Sequence, residues 1–562
     1  MSIIRIHRAV LLALTLLSAC AAADPSPDPT TRHADGTASG LFGAFLDGQF
    51  AMSQVDPAEA ATQYLRALAA DPTNAELAQQ AFVACALSGR QEAIQLARQL
   101  PSNQAAQLLL GDSDARSGNW AAAEQRFRAL PRQGLTQLLQ PLLVAWAQAG
   151  AGHPDAAVAT LRSLIEGPRF RGIYTLHAAM LLDLAGANAA AAQYYGLAQG
   201  EFPGLDLRLA QILASWQVRS GHPGDAMRIL AQVSQNTPYL GIALPALMAD
   251  SNRRVVTRAT DGIAEAYLAM AGALRQQDAS DFAMLLLRFA LDLRPDLTAA
   301  RLMAADILAG EQHPDFAMQM LAPIADDDPL GAPARQQRAM LADRLGHTDE
   351  ALHELTRLAH DYPDSPLPEA QIGDILRMKQ RYSEAIAAYD QAAARLKASG
   401  RDDWVIFYAR GIAYDRAHQW QKAQADFEHA LALSPDQPAV LNYLGYSWAD
   451  AGQHLTQARQ MIEKAVQQRP NDGAIVDSLG WVMLRDGDVE GAVKTLERAV
   501  ELEPQDATIN GHLGDAYWAA GRKLEATYQW RLALTFNPEP EDAAKLEAKL
   551  NTFRQSTAGS HQ

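Results

Sequence analysis

A small residue returns along this chain at intervals close to 34. Counted from Trp404, the residues Gly411, Tyr414, Ala423, Phe427, Ala430 and Pro435 stand at offsets 7, 10, 19, 23, 26 and 31. The register extends both ways. Gly or Ala recurs at Gly48, Ala81, Gly111, Ala145, Ala179, Ala214, Ala271, Ala305, Ala339, Gly373, Gly411, Gly445, Gly480 and Gly514. Twelve residues after each comes an alanine, from Ala60 to Ala526, with one spacing of thirteen between Gly445 and Ala458. Two helices of a hairpin cross closely only if neither brings bulk to the contact. Prolines such as Pro72, Pro295, Pro363, Pro435, Pro470 and Pro504 then stop the second helix. A chain so written folds as a stack of helical hairpins, each burying its apolar face on the next.

These offsets are the signature places of the tetratricopeptide repeat (TPR), a helix–turn–helix unit of 34 residues. The expected fold is all-α: a TPR helical-hairpin solenoid of about 14 repeats, wound as a right-handed superhelix. One interval breaks the period. Ala214 to Ala271 is 57 residues, which leaves a surplus at Gly241 to Ile263. This insert divides an N-terminal array of about six repeats (41–240) from a C-terminal array of about eight (264–540). A hinge, a partner-binding insert and a tolerated surface insertion all fit it. Residues 541–562 supply a capping helix and tail, with Leu546 and Leu550 on one face of EDAAKLEAKLNTFR.

The amino terminus reads as an address. Arg5, His7 and Arg8 precede the apolar run Ala9 to Leu17, which is about half the ~20 residues needed to span a bilayer. Residues 1–19 are therefore expected to be a signal peptide. It ends in Leu17-Ser18-Ala19-Cys20, which resembles the bacterial lipobox, so Cys20 is the expected lipidation site. Ala21 follows rather than Asp, and the lipobox pattern then implies the periplasmic face of the outer membrane. Three acyl chains exceed the two-signal threshold for stable anchoring. Residues 20–40 (CAAADPSPDPTTRHADGTASG) read as the lipidated cysteine and a disordered tether, with a reach on the order of 25 Å.

Several function classes are excluded by composition and motif. The net charge of −16, or −18 once Arg5 and Arg8 leave with the signal, repels phosphate backbones and argues against nucleic acid. Two cysteines, Cys20 and Cys85, cannot make a disulfide framework or a multi-Cys zinc site. His353-Glu354 opens like a metalloprotease helix, but Arg357 stands where the second His is required. Cys85 lies inside a repeat helix, and His153, His222, His313 and His347 all fall in the turn between two helices. The repeats use nearly all the chain and leave no segment for a catalytic domain. The reading is of a protein that is not an enzyme, with no metal, no cofactor and no small-molecule substrate.

What remains is a binding surface. Off the packed stripe, the first helices of the last repeats present Tyr408, Asn442, Tyr446, Asp477, Trp481, Asp515 and Trp518. Aromatic rings beside Asn and Asp suit a protein-binding groove: large rigid area with orienting polar groups. Successive Lys, Asn and Arg, which would clamp a free carboxylate, are not there. The run Leu441 to Leu534, with GYSWAD, DSLGW and HLGDAYWAAGR, resembles the carboxyl-terminal stretch of a family of bacterial TPR lipoproteins. GIAEAYLAMAGAL (Gly262 to Leu274) is similar to that family's mid-chain segment. The resemblance implies an outer-membrane adaptor that docks a periplasmic carboxyl-terminal processing serine protease and presents substrates such as peptidoglycan hydrolases. A scaffold for an exopolysaccharide secretion complex is the alternative.

Overall fold

A computed structural model describes residues 35–558, apart from 133, 135, 168, 169, 203 and 276–278. The signal peptide, Cys20 and most of the tether lie outside the described residues. Among the described residues there are α-helices, one short 3-10 helix and no strand. The helices pair into fourteen hairpins, from Asp35–Ser53 with Pro57–Ala70 to Ala507–Ala519 with Lys523–Thr535, and Pro540–Ala558 follows the last. The first helix starts at Asp35, inside the stretch expected to be tether. Once Leu41 to Ser53 is helical, extending it over small residues adds one bond per residue fixed. None of the described helices is long and apolar enough to cross a membrane.

The recurring small residue is explained by a knob rather than by small packing on small. A Cβ on Gly111 would stand 2.3 Å from the Phe127 ring, on Gly411 2.6 Å from Phe427, and on Gly514 2.4 Å from Trp530. Gly48 and Gly373 meet Tyr64 and Tyr389 in the same way. Each ring lies sixteen residues on, where Ala145, Ala214, Ala271 and Ala305 are followed instead by Leu161, Leu230, Leu287 and Leu321. Most rings take the volume that glycine vacates and most branched aliphatics tolerate the methyl, with Ala179 before Tyr195 and Gly480 against Leu496 as the exceptions.

Seven residues past the small position the turn passes through left-handed backbone. Gly152, Gly346, Gly487 and Gly521 hold it at φ 86°, 89°, 90° and 79°. Gln312, Gln380 and His418 hold it at 69°, 61° and 58° without glycine's freedom. His153, His222, His313 and His347 occupy the N-cap of second helices, consistent with a turn role.

Two compact units divide the chain. The first comprises the described residues up to Glu201 together with Val256–Ala300; the second comprises Phe202–Val255 and the residues from Arg301 onward. The stretch 241–263 is therefore shared between them. In the second unit, the 3-10 turn Pro238–Ala243 and the helix Leu244–Asp250 pack on Pro223–Asn236, and the turn also packs on Gly331–Arg344. Leu240, Ile242, Ala243 and Leu247 are buried, Ile242 among Ala332, Ala339 and Leu355. Its apolar half is core. Its last residues begin the long helix Ala259–Arg275 of the seventh hairpin, in the first unit.

Candidate protein-binding surfaces

In an array of stacked hairpins the first helices line the inner face, where such arrays bind partners. In the first unit that face is covered by the chain itself. Helix Ala259–Arg275 packs on the first helices Gln104–Arg116, Thr136–Gly150 and Arg171–Leu184. Its partner Ser280–Leu293 packs on Ala75–Ser88 and Gln104–Arg116. Twelve of the 17 residues in Ala259–Arg275 are buried, so this helix is enclosed almost all round.

The contacts are specific. Gly262 lies against the fully buried Trp146, where a Cβ would come within 2.2 Å of the ring. Trp146 Nε1–H donates to His177 Nδ1 at 2.9 Å. Burial lowers the His177 imidazole to about 4, so it stays neutral and free to accept. Tyr267 Oη–H donates to Asp112 at 2.9 Å, and burial holds that carboxyl well above the usual carboxylate range. Asp261 closes the start of the helix by accepting from Thr257 N–H and Arg258 N–H. The buried Glu265 pairs with the half-buried Arg294 at 2.9 Å within the hairpin. On sequence grounds Gly262 to Leu274 carries only a resemblance; its all-round burial is visible in the structure alone.

In the second unit the predicted groove residues divide into two clusters and two single placements. Tyr446, Asp477 and Trp481 converge on His512, which sequence reasoning passed over. Trp481 stacks on the imidazole at 4.2 Å and 18°, Tyr446 lies 6.1 Å from it, and Asp477 approaches Nδ1 at 2.9 Å. Burial alone would depress His512, but Asp477, with Asp515 further off, raises it above its ordinary value; Lys549 opposes them. The pair joins Asp477 to a residue 35 further on, one repeat plus one place, so a groove rule that holds the place constant misses it. An Asp–His pair supplies two of the three members of a hydrolase triad, but the neighbouring Ser478 spends its hydroxyl on the Ala474 carbonyl.

Asp515 and Trp518 anchor the cap. Asp515 accepts from Trp530 Nε1–H at 3.0 Å and from Lys549 Nζ at 2.7 Å, and Trp518 lies 5.4 Å from the Trp530 ring. Leu546 and Leu550 are buried in the same cluster. Tyr408 packs between Trp404, Phe427 and Tyr443, as part of the core around Phe427. Asn442 keeps a buried carbonyl Oδ1 with no protein partner, and so does the Trp481 indole N–H.

Among the described residues no group of three or more His, Cys, Asp or Glu is placed to hold a metal. Cys85 is buried and its thiol is pushed up to about 11, chiefly by that burial, so it is not an activated nucleophile.

Residues 337–400 and 478–538 match one family model and residues 404–437 a second, both described as tetratricopeptide repeat. The fold is a TPR solenoid. Arrays of this kind are protein-interaction scaffolds that bind peptides or proteins. The chain is 32% identical over 114 residues to a TPR repeat-containing protein, PA4667, of Pseudomonas aeruginosa, covering 20% of this chain and 19% of that one. It is 28% identical over 116 residues to cell division cycle protein 27 homolog A of Arabidopsis thaliana, covering 21% and 16%. The chain thus spans less than a fifth of the length of these curated relatives. Among solved structures, the APC/C hetero-tetramer Cut9–Hcn1 aligns with 91% of this chain and 96% of its own, at 14% identity and a TM-score of 0.38. No enzyme family is indicated.

Proposed function

We propose that the protein is a non-catalytic adaptor, lipid-anchored through Cys20 at the periplasmic face of the outer membrane. It docks a periplasmic processing protease and brings to it substrates of the cell-wall hydrolase class. The lipobox-like Leu17-Ser18-Ala19-Cys20 and the polar stretch behind it support the anchor. The resemblance of Leu441 to Leu534 to bacterial TPR lipoproteins supports the protease.

The observation that carries the adaptor reading is the contrast in inner faces. The first unit's face is filled by Gly262, Tyr267 and their helix, which supports assigning partners to the second unit. There Trp481 and Asn442 keep polar atoms unused by the protein.

Crosslinking and mass spectrometry on the membrane-anchored protein test this, beside a Tyr446→Ala/Trp481→Ala variant. Capture of a periplasmic protease with cell-wall hydrolases, and loss of the hydrolases in the variant, is the expected result. Capture of export proteins instead would sink the protease reading in favour of a secretion scaffold. Equal capture by the variant would make the two aromatics packing residues. A Cys20→Ser variant that still fractionates with the outer membrane would remove the anchor.

A further inference from the structure

A second site, away from the predicted groove residues, lies on the first helices of hairpins eight to ten. Thr298–Gly310, Gly331–Arg344 and Leu367–Met378 enclose a pocket of about 200 Å³, with Tyr239 at one side. Its polar lining holds three carboxamides, beside Asp306, Arg344 and Tyr239. Gln336 is 1% exposed, yet neither its Nε2 nor its Oε1 has a partner in the protein. Gln337 and Gln371 also line the pocket, and each has a buried Oε1 without a partner. Gln337 is held in place from its other end, where Nε2 donates to Asp306 at 3.0 Å. Arg344 is fixed as well, donating to the Ala309 carbonyl and to Gln312.

A buried amide left unmatched costs about 1–3 kcal/mol, and one side chain carrying two such atoms is seldom kept without use. The chemistry of the three groups limits what could match them. The amides are neutral, and Asp306 and Arg344 beside them are opposite in sign and already engaged by Gln337 and by the Ala309 carbonyl and Gln312, so the pocket offers no net charge to a phosphate or a carboxylate. Together the amides offer three acceptors and one donor to one pocket. An extended main chain supplies N–H and C=O groups in alternation along one edge, and a primary amide can meet either by turning about its last bond. Beside the amides, Ala305, Ala309 and Met340 give an apolar floor for a small side chain.

We infer that this pocket, centred on Gln336, Gln337 and Gln371, binds an extended peptide segment of a partner through its main chain. Recognition of this kind selects unfolded or strand-like conformation rather than a particular sequence. It rests on the adaptor reading and deepens it: a client held by its backbone is a client already opened for a protease.

The test uses the full-length protein, with acetyl-tetraalanine N-methylamide as probe and its backbone N-methylated counterpart as control. Binding is followed by the side-chain NH2 resonances of Gln336, Gln337 and Gln371, assigned by Gln→Leu replacement one at a time. The expected result is a shift of these resonances by the first peptide and affinity about tenfold weaker for the second, the size of one or two lost hydrogen bonds. Equal binding of both peptides would mean an apolar hole without main-chain recognition. No shift with either at millimolar concentration would mean that water alone satisfies the amides. Both results overturn the proposal.

A Gln336→Leu/Gln371→Leu variant separates this failure from failure of the adaptor reading. If the native protein captures its partners and the variant, equally folded by circular dichroism, captures them in the same yield, the pocket is not the client site and the adaptor stands. If the native protein captures none, the adaptor reading itself falls.

Discussion

The two units treat the same kind of surface in opposite ways. In the first, the inner face of the repeats is closed by a hairpin of the same chain, and its central polar pairs are matched, Tyr267 to Asp112 and Trp146 to His177, with Arg288 Nε on the hairpin's second helix the exception. In the second, first-helix positions keep buried polar atoms that nothing in the protein meets, at Gln336, Gln371, Asn442 and Trp481. The difference separates a surface that is finished from one that is unfinished. A solenoid that supplies its own ligand at one end gains a fixed platform there, at the cost of a binding face.

The largest effect is expected where the closed face is tightest. Gly262→Ala puts a methyl within 2.2 Å of the Trp146 ring, deep in the core, with no flexible group to yield. Overpacking of this sort costs about 1–3 kcal/mol. Hydrogen exchange should quicken across Ala259–Arg275 and the Trp146 helix while the Trp481 helix keeps its protection. If protection is unchanged throughout, the hairpin is not held by this contact.

Tyr267→Phe comes next. It leaves the buried Asp112 without its donor, a loss of about 1–3 kcal/mol. Asp112 has a further signature. Its folded value is raised, so the folded unit keeps a proton that the unfolded chain releases above the ordinary carboxylate range. The first unit therefore loses stability as pH rises from that range toward the folded value. Asp112→Asn should flatten this slope in thermal melts taken between about pH 4 and 7, and an unchanged slope would show that the proton is not kept there.

These contacts mark the limit of what the sequence reveals. The period of 34, the glycines at 411 and 514 and the cap leucines 546 and 550 are local facts, each fixed by helix geometry, and they specify the hairpins. The anchoring hairpin is not local. Tyr267 falls in the repeat pattern as part of one more unit and Gly262 in the surplus just before it, and nothing in their spacing says that Trp146 and Asp112, far earlier in the chain, receive them. The surplus before Ala271 marks the place of the break without its meaning. The period alone singles out the aromatics at 446 and 481, which the structure brings to one imidazole. The period passes over His512, because that residue pairs across repeats one place out of step.

Acid should sharpen the comparison through two buried histidines. His177 is neutral when folded, lowered by burial from 6.5 to about 4, so between those values the unfolded chain binds a proton that the folded unit refuses. Its contribution is present above that window and lost as pH falls through it. His512 is shifted the other way: burial opposes its charge, but Asp477 and then Asp515 raise it. Its contribution is complete below its unfolded value and fades as pH rises through the folded one. Asp112 tilts the first unit against His177, so the readout is the pH dependence of the difference between native protein and a His177→Gln or His512→Gln variant. The two differences should slope in opposite senses. Parallel slopes would break the contrast.

The smallest effect tests the repeat itself. His418 holds the left-handed turn place at φ 58°, where Gly346, Gly487 and Gly521 stand in other hairpins. An L-residue there carries about 1–2 kcal/mol of backbone strain, while glycine adds unfolded-state entropy of about 0.5–1 kcal/mol. His418→Gly should therefore stabilise its hairpin by up to about 1 kcal/mol, and Gly487→Ala should destabilise its own by a similar amount. Local hydrogen exchange in the second helices Trp420–Leu433 and Val489–Leu502 reads each change separately. Should His418→Gly weaken its helix instead, the imidazole has a role in that turn beyond filling it, and the turns are not equivalent places of one repeat.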